Sequence, residues 1–515
     1  MTEPRKHRTG FHLVAVTSAS LLQILNQFLF FAVNARVWGA DARTDSLHFA
    51  IALPVIIATI VTGSLSYVLV PQLVAKFEDP KEERSAWRLA SFVGLVTLVV
   101  SICISLLLYL FALPIAEVLM EQKQAGQHVA AAGFLKILSW QVVLYGMISW
   151  AQAVLHSQHQ FSVAASAGVV GTAAQLVTVL CLGDRSLDVI AWAINLGSML
   201  SLLIHLIPIV PKLGIPRASV VGLGSLLASL WPLVLGAAFL RLDPMVDRIF
   251  ASELDQGSLT HISWAHRIHA ALLALGASSL SLVAMPQLAE FYSKNGLKGF
   301  STHFALCARR ISLLIIPVAI GVSVFSVWII RDLLEGGKIL PSDSERVGWL
   351  VTSFMGLFLG ASLAELISRG FYVLGDTKTP TLIGATCLAV GLIVKYLLFQ
   401  QIGVWGIALG ISLYYLVTAV VLGWALLRRS SREIFTGCAV YVMQASLAAG
   451  FACGCCFIIY SSNFITVVIP STWVAAPVGV FSYFIALLAF KNEEAWRCWR
   501  AIGSKLRTRD KSPAA

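Results

Sequence analysis

Apolar stretches of roughly 20 residues or more recur along this chain between residues 11 and 490, each long enough to carry a helix across about 30 Å of hydrocarbon. Nothing else in the sequence limits the fold as tightly. The spans read as 11–38, 46–74, 87–112, 128–155, 160–182, 187–210, 223–252, 259–292, 304–332, 347–374, 378–400, 402–427, 436–461 and 465–490, or about 14 transmembrane helices. Composition agrees with that solvent. With 58% hydrophobic and 12% charged residues over 515 positions, the chain cannot clothe itself in a water-soluble surface. The expected fold class is an all-α integral membrane protein.

Lys and Arg set the orientation. Arg5, Lys6 and Arg8 precede the first span, and every second loop after it is basic: Lys76, Lys81 and Arg84; Lys212 and Arg217; Lys294 and Lys298; Arg428, Arg429 and Arg432. The tail adds Lys491, Arg497, Arg500, Lys505, Arg507, Arg509 and Lys511. The alternate loops are poor in positive charge, although 333–346 holds Lys338 and Arg346 among acidic residues. Both termini are therefore expected in the cytoplasm. The net charge of +11 then reads as a topology signal and an attraction to anionic membrane lipids. No nucleic-acid partner is expected, because the charges are spread over separate loops. The first apolar stretch is too long for a cleavable signal peptide and has no small-residue cleavage site in the usual place.

Val70-Pro71-Gln72-Leu73 and Met285-Pro286-Gln287-Leu288 each close an apolar segment before a charged loop. Such echoes in two halves mark a repeated transporter architecture. A looser echo joins Val154-Leu155 to Val373-Leu374. Six helices per half means an even number, so the repeats run parallel, related by an axis along the membrane normal. The expected organisation is an N-terminal lobe at 1–212, a C-terminal lobe at 213–430, two additional helices at 431–490 and a basic cytoplasmic tail at 491–515.

Polar groups inside hydrocarbon are costly and tend to face a cavity or a partner. The seventh span carries Arg241, Asp243, Asp247 and Arg248, with Pro244 able to bend it, and the eighth carries His266, Arg267 and His269. Both clusters are expected in the outer half of the membrane, with Arg36 and Lys136 at similar depth. They read either as an outer salt-bridge network or as a water-filled, net positive cavity for an anionic substrate. The histidines offer a pH sensor or a hydrogen-bonded structural role. Glu365 and Arg369 are expected to form a structural ion pair, and Lys395 to snorkel. Cys453, Cys455 and Cys456 lie in an apolar helix without nearby His or carboxylate, so they read as core cysteines and no metal site is expected. No cofactor loop and no large extramembrane domain is visible, which points away from an enzyme.

Ala35-Arg36, Gly39-Ala40, Thr44-Asp45, Leu53-Pro54, Gly63 and Val70-Pro71 resemble the start of the lipid II flippases of the MurJ/MviN family. That family belongs to the multidrug/oligosaccharidyl-lipid/polysaccharide exporter superfamily. Ala265, Arg267 and Pro286-Gln287-Leu288 resemble its eighth helix, and Gly370-Phe371-Tyr372, Asp376 and Lys378-Thr379-Pro380 resemble the turn before its eleventh. The resemblance runs over residues 11–430. It implies two six-helix lobes in a V shape that move a polyprenyl-diphosphate-linked peptidoglycan precursor outward across the bacterial inner membrane by alternating access. It also implies Asp45 and Arg267 as cavity charges. The chain departs from the family pattern at Ile24 and Phe30, where arginines are usual. It departs again at Ala58-Thr59, where a third arginine is usual, and at Ala270, where an acidic residue is usual. Arg241, Arg248 and Lys136 offer replacement charge for a diphosphate.

Three function classes stay open. One is a flippase for lipid II or another lipid-linked saccharide, coupled to membrane potential or an ion gradient. Another is a small-molecule antiporter, although the eleventh helix lacks the Asn and Asp oxygens that a sodium site would want. The last is a divergent membrane protein that transports nothing.

Overall fold

The computed structural model describes all residues except 1–2, 64, 121–125, 215–242, 276, 431, 436, 462–470, 498 and 501–515. Among the described residues the chain is a succession of helices with no strand. Eleven of these helices are long and apolar enough to cross a membrane. The expected seventh span is described only from residue 243 and the fourteenth only from Ser471. The helices gather into two compact units, Met1–Ser263 with Gly336–Leu340 and Trp264–Glu335 with Pro341–Ala515.

The first unit contains α1 (Glu3–Trp38), α2 (Ala42–Gly63), α3 (Leu65–Phe77), α4 (Glu83–Leu110), α5 (Ala112–Leu119), α6 (Gln127–Leu138), α7 (Gln141–Ser157), α8 (Phe161–Leu182) and α9 (Asp188–Leu206). A further helix, α10, covers 243–252. α7 is the hub, packing on α2, α3, α4 and α9. Its Trp150 is buried and donates Nε1–H to the Ala90 carbonyl at 2.9 Å. Gly94 makes that possible, since a Cβ there would lie 2.7 Å from the indole. α8 and α9 approach closely through Gly171 and Gly197. Without a hydrophobic force between helices in lipid, such small-residue contacts and interhelical hydrogen bonds hold the bundle.

α11 (Ser258–Leu275) leaves the first unit and enters the second at Trp264. α12 (Ala277–Leu334) is two helices broken at Gly296, whose φ of 58° suits glycine. Then come α13 (Pro341–Ser353), α14 (Met355–Val373), α15 (Lys378–Ile402), α16 (Val404–Arg429), α17 (Cys438–Ser461) and α18 (Ser471–Ala489). α12 packs on α13, α14 and α17, and α16 on α14 and α15.

Two spans expected as single helices are pairs. The fourth is α6 with α7 and the tenth α13 with α14. A break in a span frees backbone groups that hydrocarbon cannot satisfy. At the tenth, Ser412 of α16 supplies the partner: its hydroxyl donates to the Ser353 carbonyl at 2.5 Å and accepts the Leu357 N–H at 3.0 Å. The expected outer loop 113–127 also begins with a helix, α5.

Two side-chain expectations divide. Glu365 and Arg369 do pair, at 2.5 Å. Lys395 does not snorkel; it is 0% exposed, with its stem against Gly410 of α16.

Candidate functional site

In the first unit, Arg36 lies exposed at the end of α1. Its carbonyl accepts the Lys338 N–H at 2.8 Å, and the Lys338 ammonium stands 4.8 Å from the Trp38 ring centroid. Two cations thus share one end of α1. Gly337 allows this approach, because any Cβ there would collide with the Arg36 carbonyl.

Asp45, in the first turn of α2, is only 4% exposed. Its carboxylate accepts the Gly257 N–H at 2.7 Å, the Thr260 N–H at 2.8 Å and the Thr260 hydroxyl at 2.6 Å. Those donors form the first turn of α11, whose N–H groups have no partner within the helix. The carboxylate serves as their cap and meets the positive end of the helix dipole. Asp41 repeats the device one turn earlier, accepting the N–H groups of Arg43 and Thr44 at 2.9 and 2.8 Å.

Lys136 on α6 is exposed, 5.9 Å from the ring centroid of Tyr109 on α4. Asp243 and Asp247 are both buried on α10, while Arg248 is half-buried and donates Nη1–H to the Pro244 carbonyl at 2.7 Å. Arg241 lies outside the described residues. Pro244 lies on this helix next to the first described residue, and the part of the seventh span before 243, where its effect on the helix path would be read, lies outside the described residues.

In the second unit, His266 and His269 share a face of α11 and meet Phe354, at ring-centroid distances of 4.5 and 6.2 Å. Phe358 approaches His269 edge-on at 6.4 Å. Half-buried Arg267 lies between the two histidines in sequence. The set is thus divided: Arg36, Asp45, Lys136, Asp243, Asp247 and Arg248 belong to the first unit, and His266, Arg267 and His269 to the second. Among the described residues no cluster of His, Cys, Asp or Glu is suited to hold a metal ion. Of the positions where the resemblance would have arginines, Phe30 and Ala58 are buried, and Ile24 and Thr59 are half-buried.

The turn between α14 and α15 is built tightly. Gly375, with φ of 79°, closes α14: its N–H bonds the Tyr372 carbonyl at 3.1 Å, and the Asp376 N–H bonds Phe371 at 2.9 Å. The Asp376 carboxylate then accepts the N–H groups of Lys378 and Thr379 at 3.1 and 3.0 Å, opening α15, and pairs with Arg429. Hydrogen bonds from Thr379, with Arg429 beside it, hold this carboxyl below its ordinary range.

Sequence reasoning missed Lys338, Thr260 and Phe354. Thr260 lies 215 positions from the carboxylate it serves, and no local pattern joins them.

A sequence model of the family described as "Lipid II flippase MurJ" matches residues 34–475. The lipid II flippase MurJ of Burkholderia cenocepacia is 22% identical over 455 residues, covering 85% of this chain and 87% of the relative. A probable lipid II flippase MurJ of Buchnera aphidicola is 23% identical over 463 residues, covering 84% and 88%. A solved structure described as lipid II flippase MurJ in an inward closed conformation superposes with a TM-score of 0.78 at 18% identity, over 93% of this chain and 98% of the other. An inward-facing multidrug resistance transporter of the MATE family gives 0.64 at 14% identity, over 78% and 94%. Both superpositions speak for a shared fold.

Proposed function

The chain belongs to the MurJ family, and from that membership we propose that it is a flippase that carries lipid II, or a closely related polyprenyl-diphosphate-linked saccharide, across the bacterial inner membrane by alternating access. The observation that carries this reading is the family match over residues 34–475, which takes in both halves of the chain.

The substrate asks for positive charge near its diphosphate. Arg36, Lys136, Arg241, Arg248 and Arg267 are the groups that provide it, with Asp45, Asp243, Asp247, His266 and His269 setting their positions and balance. The exposure of Arg36 and Lys136 and the half-burial of Arg248 and Arg267 suit side chains that meet a large polar ligand. Asp45 acts as a positioning residue, through the first turn of α11. We assign the lobes to 1–212 and 213–430, with 431–490 as added helices and 491–515 as tail. Both termini face the cytoplasm, in keeping with the Lys and Arg distribution. Anionic lipids hold the basic loops, and transport draws on the membrane potential or an ion gradient.

Binding tests this reading. A charge-assisted contact to phosphate is worth about 1.5–3 kcal/mol. Arg241→Ala and Arg267→Ala should therefore each weaken binding of an undecaprenyl-diphosphate-linked saccharide in nanodiscs by about tenfold or more. Added salt should weaken it further. Unchanged lipid binding, with altered export of a cationic dye, would replace the flippase by the antiporter of the same fold.

A further inference from the structure

The inner end of α4 carries Arg84 and Arg88 one turn apart, with Trp87 and Ser91 beside them. The 3-10 turn Val210–Lys212 and the residues after it return over this corner. The Gly214 N–H bonds the Ser91 hydroxyl at 3.2 Å. A Cβ on Gly214 would touch the Arg88 stem at 3.4 Å, and the Lys212 ammonium stands 5.5 Å from the Trp87 ring centroid. Trp87 itself is buried and packed on Phe77 at 5.3 Å, so the platform beneath the cations is rigid. None of Arg84, Arg88 and Lys212 makes an ion pair with a described residue, and the neighbouring Glu82 is held by Lys76 at 2.6 Å.

The second unit builds the same corner and fills it. Arg88-x-x-Ser91 returns as Arg309-x-x-Ser312. Both serines donate to the carbonyl four residues back, at 2.8 Å. There too a 3-10 turn, Arg432–Phe435, is followed two residues later by a glycine, Gly437, lying against the arginine. In that copy Tyr441 covers the guanidinium at 5.2 Å and the Cys438 side chain bonds it.

We infer that the corner of Arg84, Arg88 and Lys212 in the first unit is a binding site for the phosphodiester headgroup of an anionic phospholipid in the inner leaflet. The inference rests on the orientation proposed above, which places this end of α4 at the cytoplasmic surface. A phosphodiester supplies the anion that two guanidinium groups and an ammonium lack. Trp87 is suited to the headgroup level, and acyl chains then run along the apolar length of α4, whose Leu95, Val99, Ile102 and Leu106 are exposed. A soluble phosphate has no use for that apolar face.

Native mass spectrometry of the purified full chain in detergent tests this, with phosphatidylglycerol, phosphatidylcholine of the same acyl chains, and glycerol 3-phosphate as probes. The unaltered chain should retain phosphatidylglycerol in preference to phosphatidylcholine and should not be relieved of it by glycerol 3-phosphate. Arg88→Gln with Lys212→Gln should weaken retention by about tenfold or more, and the exposed single change Lys212→Gln by about threefold or more. Arg88→Lys and the loop control Lys81→Gln should bind as the unaltered chain does. Equal retention in the double or the Lys212 variant overturns the inference. So does equal binding of phosphatidylcholine, or competition by glycerol 3-phosphate. Binding in detergent does not depend on topology, so a wrong orientation would show in thiol labelling while leaving this result intact.

Discussion

Asp45 is a buried anion whose partners are two backbone N–H groups and one hydroxyl in the first turn of α11. Removing the charge leaves those donors in a buried setting, which costs about 1–3 kcal/mol. Asp45→Ala should therefore lower thermal stability in detergent more than Asp45→Asn, which keeps one acceptor. Thr260→Val should lose less than either, and combining it with Asp45→Ala should be less than additive. Full additivity would mean that the contact contributes nothing. The sequence singled out Asp45 through its family motif but was silent on Thr260, since a trans cap leaves no periodic trace. Lys395 failed for another reason. Snorkelling assumes a lipid-facing side chain, and in a uniformly apolar helix such as α15 nothing in the residue types tells the lipid-facing side from the packed side.

At the scale of elements, the turn from α14 to α15 is where family motif and local physics coincide. Gly375 holds φ of 79°, a region that costs a side-chain-bearing residue about 1–2 kcal/mol, so Gly375→Ala should lower the melting temperature. Asp376 adds a pH dependence. Its carboxyl is held below the ordinary value by Thr379 and Arg429. The stability it contributes is thus present above the unfolded carboxyl pKa of about 3.9 and is lost as pH falls through the folded value. The melting-temperature gap between the unaltered chain and Asp376→Asn should stay constant from about pH 8 to pH 5 and shrink below about pH 4. A gap that changes near neutral pH would remove Asp376 as its source. Gly375-Asp376 and Lys378-Thr379-Pro380 were readable because turns and caps use few residue types, each for a stated reason. The paired helices α13 and α14 were not, because the group that satisfies their break, Ser412, comes from another helix.

For the whole molecule, the recurrence of long apolar stretches made the all-helical membrane fold readable from sequence, because hydrocarbon thickness acts on long segments. The arrangement of the site was less readable, since it depends on which helix faces turn inward. Topology is open to direct labelling. Cysteines at Lys81 and Lys298 should react only with membrane-permeant thiol reagents in intact cells, and one at Lys123 should react with impermeant reagents as well. Labelling of position 81 from outside would invert the orientation. The central claim is translocation of a lipid-linked saccharide, and it is tested most directly by expressing the chain in a bacterium depleted of its own flippase while lipid II on the outer leaflet is measured. On that claim the chain restores outer-leaflet lipid II and growth, and Arg267→Ala, present in the membrane at equal amount, restores neither. Full restoration by Arg267→Ala, or a well-expressed chain that exposes no lipid II, would contradict it.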